Sequence, residues 1–323
     1  LGDTQKNRIN VSTYISFTYI AGLSVAYLLP NLAGLFTSSL GEANAVRLAI
    51  AILAAVAAIA MLVPSFFIKE REYIKSEPVK TKAFSSLLKS FKNKQFRRFV
   101  YSDVIYFFAV TLFQTGLAFY ITKLMHADEG NTFMLTVVMT VVSLCLYPAV
   151  NKLAPKLGKK VIIITGFFAY ALVFLIASLC GEGMWWGYVI AVLAGIPMAI
   201  LGILPQAVVA DIAEADAVTY GEQRSGMFFA ARTFAMKMGQ ALSLLVFTSV
   251  TVSGSELSYR VTAIIATVCC VIGAALFFLY NEKSVMSVIS SAEKDGEAVQ
   301  AADKTETAEV VEPSVSAENP EEK

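Results

Sequence analysis

Charge is scarce in this sequence. Only 16% of its residues are charged, against about 25% in an ordinary soluble domain. The shortfall is taken up by 56% hydrophobic residues, and the mean hydropathy is +0.63. That composition excludes a typical soluble domain and points to a bilayer. Histidine is rarer still, with His126 the single example. The four cysteines, Cys145, Cys180, Cys269 and Cys270, lie in or beside apolar runs without metal-ligand spacing. They read as small apolar packing residues. Zinc chemistry and Cys/His catalysis are excluded on this basis, no cofactor is implied, and an enzyme is not expected. The first residue is Leu1, and no charged segment with a short apolar run and cleavage site opens the chain. The expectation is a chain that starts inside a larger protein, without an intact signal peptide.

The formal net charge of +1 suggests no nucleic-acid partner and conceals an asymmetry. Residues 282–323 hold 11 acidic residues against 4 lysines, which leaves 22 basic and 14 acidic residues in the preceding 281. The tail is poor in aromatics and rich in Glu, Ala, Ser and Val, so it is expected to be a disordered acidic extension.

A helix needs roughly 20 apolar residues to cross the hydrocarbon core. Eight runs qualify, at about 12–36, 45–67, 99–123, 132–151, 161–180, 184–204, 227–252 and 260–280. Their connections alternate in charge. If residues 1–11 are cytoplasmic, 21 of the 26 Lys and Arg fall on that side, ten of them between Lys69 and Arg98. The positive-inside rule then puts both chain ends in the cytoplasm. The basic segment 69–98 separates two spans (1–68) from six (99–281). Within it, Phe84, Leu87, Leu88 and Phe91 recur at i, i+3, i+4, i+7 while Lys89 and Lys92 turn away. The pattern predicts an amphipathic helix on the inner leaflet, an ordinary basic loop being the alternative.

A charge at membrane depth costs at least about 2.5 kcal/mol, so an intramembrane ionisable group is a functional candidate. Lys237 lies mid-span, with Thr233 and Gln240 on its face. Such a polar stripe suits a helix that lines an aqueous cavity; the competing reading is a structural ion pair or a snorkelling lysine. Arg232, about 100° around the helix, reads as structural or gating. On the third span Asp103 and Gln114 share a face, with Tyr106 near it. Asp103 has three readings: pairing with a cation, binding a coupling ion, or capping the helix start. On the first span Thr13, Ser16, Ser24, Tyr27 and Asn31 point one way, toward a cavity or toward their own backbone. The sixth span carries Gly195, Pro197, Gly202 and Pro205 and leads into an acidic stretch with Asp211, Glu214, Asp216, Glu222 and Arg224. This stretch reads either as a charge network that closes the cytoplasmic side against residues such as Arg8, or as a solvated loop.

The stretch Asp211 to Lys237, D-x4-D-x3-Y-G-E-x-R-x-G followed by a helix with Lys237, resembles the signature after helix ten of the glycoside-pentoside-hexuronide cation symporters. These form the melibiose-permease-like branch of the major facilitator superfamily. D-T-Q-K-N-R at Asp3 to Arg8 and K-N-K-Q-F-R-R-F at Lys92 to Phe99 resemble the entries to family helices five and seven, and the match is collinear to about Asn281.

The resemblance implies an all-α membrane fold of twelve helices in two halves, with substrate at the midplane and alternating access. The eight spans would be helices five to twelve, the first four being absent. It implies a monomeric plasma-membrane carrier that takes a glycoside or related sugar inward with sodium, lithium or a proton. Lys237 matches the family lysine of the cation and substrate region. Asp211, Asp216, Glu222 and Arg224 match the cytoplasmic gating loop, and Arg8 a gating arginine. Near Ile15, where melibiose-type members place an arginine, this sequence has no charge. An exporter of drugs or lipids on the same fold and a membrane sensor or enzyme are the alternatives. The eight-span piece by itself is not expected to transport.

Overall fold

The computed structural model describes residues 5–27, 29–67, 83–127, 131–221 and 224–292. The side chains of Arg8, Ser24, Tyr27, Asn31 and Phe84, together with Glu222, residues 68–82 and the tail from 293 on, lie outside the described residues.

Among the described residues every regular element is a helix. They are α1 (Gln5–Tyr27), α2 (Leu29–Leu40), α3 (Glu42–Phe67), α4 (Ala83–Ser90), α5 (Lys94–Phe119), α6 (Asn131–Leu157), α7 (Lys159–Leu179), α8 (Trp185–Tyr220), α9 (Ser225–Thr251) and α10 (Glu256–Phe277), followed by α11 over 282–292. A π-helical turn, Tyr120–Leu124, extends α5. Seven of these helices are long and apolar enough to cross a membrane: α3 and α5 to α10. The expected first span, 12–36, falls on α1 and α2, which lie on either side of residue 28, itself outside the described residues.

The expected end of the sixth span at 204 is also overtaken. Helix α8 runs on through Pro205 to Tyr220. Ile203, Leu204, Ala207, Val208, Val209, Ile212 and Ala213 are all buried, so core packing holds the helix past the proline. Asp211 and Asp216 therefore stand on a helix rather than in a loop. A second difference concerns the tail. Residues 282–292 are helical, with Val285 and Ile289 buried in the core, where disorder was expected from 282.

Helices α5 to α10 pack as one bundle, with α5 against α9 and α10, α7 against α8 and α10, and α6 against α8. Small residues set the closest approaches. A Cβ on Gly239 of α9 would meet the Val104 carbonyl oxygen of α5 at 2.7 Å, and one on Gly195 of α8 would meet Val142 Cγ1 of α6 at 2.5 Å. Helix α1 lies on α6 and α8, whereas α2 and α3 pack on each other. The apolar face of α4 turns toward the bundle: Leu87 and Phe91 rest on the core and α4 packs on α9.

Candidate functional site

Helix α9 carries three distinct strips, as the 100° step between residues requires. Phe228, Arg232, Ala235, Gly239 and Ser243 form the buried strip. Phe234, Met238, Leu242 and Leu245 form an exposed apolar strip, a composition that suits lipid. The third strip runs along Thr233, Lys237, half-buried Gln240 and Thr248, the other three exposed. The Thr233 and Thr248 hydroxyls satisfy themselves on their own backbone, bonding the carbonyls of Phe229 at 2.9 Å and Leu244 at 3.0 Å. The predicted face of Thr233, Lys237 and Gln240 is thus a real strip of the folded helix, about four turns long.

Asp103 and Arg232 meet inside the bundle. Arg232 Nε donates to Asp103 Oδ2 at 2.8 Å and its Nη2 to Oδ1 at 3.2 Å, and both side chains are buried. The guanidinium lies 5.7 Å from the Phe99 ring and 5.8 Å from that of Phe107, close enough for cation–π attraction. Of the three readings of Asp103, the geometry selects pairing with a cation. Tyr106 does not join the α9 strip: it is buried against Phe167 and Tyr170 of α7, at ring distances of 5.8 and 6.0 Å. The aromatic-rich side of α5 faces α7, which draws Tyr106 inward. Gln114 is exposed, a little over two turns beyond Tyr106 at about 3.6 residues per turn, on the far part of α5.

The end of the bundle where α5, α7 and α9 start holds the remaining buried charges. Lys159, at the first turn of α7, pairs with Asp211 of α8, and both are essentially sealed from solvent. A bare charge at that depth would be costly, so each needs the other. Asp216 has two partners: Asn93 Nδ2 donates to its Oδ1 at 3.0 Å, and Arg224 Nη2 to its Oδ2 at 2.8 Å. Asn93 also caps α5, its Oδ1 accepting from the amides of Gln95 and Phe96 at 3.0 and 3.1 Å. Glu282 caps α7 across the molecule, with Oε1 and Oε2 accepting from the Lys159 and Lys160 amides at 2.8 and 2.9 Å. Burial, with the Asp211 and Glu282 carboxylates beside it, raises the Tyr280 phenol well above its ordinary pKa.

Five gate residues were foreseen, and three of them have side chains among the described residues. Asp211 and Asp216 have separate partners, Arg224 joins only Asp216 among the ion pairs described, and Glu222 and Arg8 lie outside the described residues. Sequence reasoning missed Lys159 and Asn93. Lys159 was one of four basic residues in a run, and the only signal for it is its place one residue past Gly158, at a helix start. Asn93 carries a legible signal, an N-cap residue six positions before the apolar run that starts at 99.

Where α1 meets the six-helix bundle, Thr13 Oγ1 bonds Asn151 Oδ1 at 2.8 Å and Ser16 Oγ bonds the Gly202 carbonyl at 2.6 Å. These two hydroxyls bridge helices, and each also bonds its own helix backbone. His126 is exposed in a left-handed turn, φ 51°, 3.9 Å from Glu256. Among the described residues no group of three or more His, Cys, Asp or Glu stands within reach of a common metal ion.

A family model described as MFS/sugar transport protein matches residues 1–282. Among curated proteins, the chain is similar to an uncharacterized symporter of Synechocystis sp., with 25% identity over 165 residues. That stretch is 49% of this chain and 29% of the relative, so the chain matches under a third of the relative's length.

Proposed function

Since the chain belongs to the MFS/sugar transport protein family, we propose that it is part of a secondary carrier that moves a glycoside or related sugar together with a cation. The single observation that carries this reading is the division of α9 into two unlike exposed strips. The Thr233 and Thr248 hydroxyls are satisfied on their own backbone, but facing lipid would strip the Lys237 ammonium and the Gln240 amide of their hydration. The apolar strip faces acyl chains, and the strip through Lys237 faces the solute pathway. In this reading Thr233, Lys237 and Gln240 meet the solute, with Gln114 of α5 on the same pathway. Hydroxyl, amide and ammonium groups suit the many hydroxyls of a sugar better than an apolar drug, which disfavours an exporter.

The coupling ion, sodium, lithium or a proton, is cargo in this scheme. Asp103, Asp211 and Asp216 are each engaged by a basic side chain, and the family resemblance puts the carboxylates that take the ion on helices one, two and four of the twelve-helix arrangement. Helices α1 and α2 together then stand for the fifth helix of that arrangement, and α3 for the sixth. The end with Lys159, Asp211, Asp216 and Arg224 faces the cytoplasm of a plasma-membrane carrier, as does the tail, consistent with 21 of 26 basic residues falling on that side. These ion pairs tie helix ends together and would exchange partners as the halves rock.

The test is uptake of labelled sugars into vesicles that contain the full-length carrier, with and without an imposed sodium or proton gradient. Gradient-dependent accumulation is expected. Equal uptake in both conditions would remove the symport reading, and absence of uptake for every sugar class would remove the solute assignment.

A further inference from the structure

A cleft of about 350 Å³ opens at the end of the bundle where α5 and α9 start, lined by Lys89, Lys92, Asn93, Asp216, Tyr220 and Arg224. We propose that it is an anion site that takes a phosphate group, either the headgroup of an anionic phospholipid or a soluble phosphate. It lies at the helix ends, away from the strip through Lys237, and its test does not depend on the transport reading.

Among the described residues, three cations and one carboxylate line this cleft. That carboxylate is already used: Asp216 is buried, its Oδ1 accepts from Asn93 and its Oδ2 from Arg224. Arg224 is positioned by Asp216 and lies 5.9 Å from the Tyr220 ring. Lys89 and Lys92 make no ion pair with a carboxylate among the described residues. The balance of charge that the described residues turn into the cleft is therefore positive. A neighbouring cleft of about 310 Å³ shares Lys92, Asn93, Asp216 and Tyr220 and adds Lys94, which extends the positive field beyond a single pocket.

Backbone groups add to it. Helix α9 begins at Ser225 beside Arg224, with no side-chain cap and no acidic residue in its first turn, so the positive end of a 27-residue helix borders the cleft. Phosphate suits such a place better than carboxylate. Its several oxygens can bond lysine ammonium groups, a guanidinium and helix-end amides at once. The lipid source has a geometric argument of its own, because Leu88 of α4 stays exposed next to Lys89 and offers an acyl chain an apolar contact beside the charge.

The test uses the full-length protein and three forms: wild type, the double variant K89Q/K92Q, and the charge-conserving K89R/K92R. Native mass spectrometry after equilibration in an equal mixture of phosphatidylglycerol and phosphatidylcholine reads lipid retention. Thermal unfolding with and without millimolar inorganic phosphate reads the soluble source. Wild type and K89R/K92R are expected to retain phosphatidylglycerol, with a loss of about tenfold or more in K89Q/K92Q. If phosphate stabilises wild type but not K89Q/K92Q while lipid retention is equal, the site stands and its ligand is soluble. If K89Q/K92Q matches wild type in both measurements, the proposal is overturned.

Discussion

Asp103 and Arg232 stand 129 positions apart in the chain and join α5 to α9 through two hydrogen bonds, of 2.8 and 3.2 Å. The pair is bidentate, buried and framed by two phenylalanine rings, a geometry that lysine could not reproduce with its single ammonium.

Removing one member of this pair leaves the other charged and buried. Asp103→Ala is expected to lower stability by about 3–5 kcal/mol, and the double change D103A/R232A by less than the sum of the two single ones. Thermal unfolding of the four proteins of that cycle in detergent checks this. Strict additivity would mean that the two side chains do not depend on each other.

Gly239 sets the spacing of the same two helices. Gly239→Val must displace the Val104 carbonyl of α5 and is expected to cost about 1–3 kcal/mol, with a broadened size-exclusion profile. Gly226, on the same helix, has nothing within 4 Å of a Cβ, so Gly226→Ala is expected to leave unfolding unchanged.

Glu282→Ala removes the acceptors of the first two α7 amides. A loss of about 1 kcal/mol is expected, seen most directly as roughly fivefold faster hydrogen exchange at Lys159 and Lys160. Exchange at the first turn of α10, capped by Ser255, should not change. An unaltered rate at Lys160 would show that the cap does not hold that turn.

Lys237 gives the opposite profile. Its side chain is exposed, so Lys237→Gln should shift stability by no more than about 0.5 kcal/mol while sugar uptake by the full-length carrier falls about ten- to a hundredfold. Unimpaired uptake would take Lys237 out of the solute pathway.

Much of this architecture was legible from local pattern. Six of the apolar runs became single spanning helices of the bundle, and a seventh became α3, because a run of that length has few other ways to hide its backbone. The α9 polar face was equally legible, since three residues at helical spacing need no tertiary knowledge. Partners were not. Asp103 and Arg232 both stood out as intramembrane charges, but only the adjacency of α5 and α9 makes them one unit. Lys159 was invisible for a related reason: Asp211 is 52 positions away, and a lysine in a run of basic residues looks solvated until the fold buries it. Tyr106 shows the limit of face assignment, because a residue between two faces of a helix goes to whichever neighbour packs better, here α7. The length of α8 turned on Pro205, a proline that the core around it carries inside a continuous helix.

Asn93 spends both ends of its amide, the oxygen on α5 and the nitrogen on Asp216, and that fixes which way the group must face. A flipped amide would point N–H at N–H and oxygen at oxygen, so the side chain has one allowed orientation and no freedom to exchange it. It also narrows the chemistry that can stand there. Aspartate would cap α5 equally well, but it has no donor when ionised and would confront Asp216 with a second negative charge. The start of one helix and the end of another are thus held by an adapter whose two faces differ in kind, a role open to a carboxamide and closed to the carboxylate of the same shape.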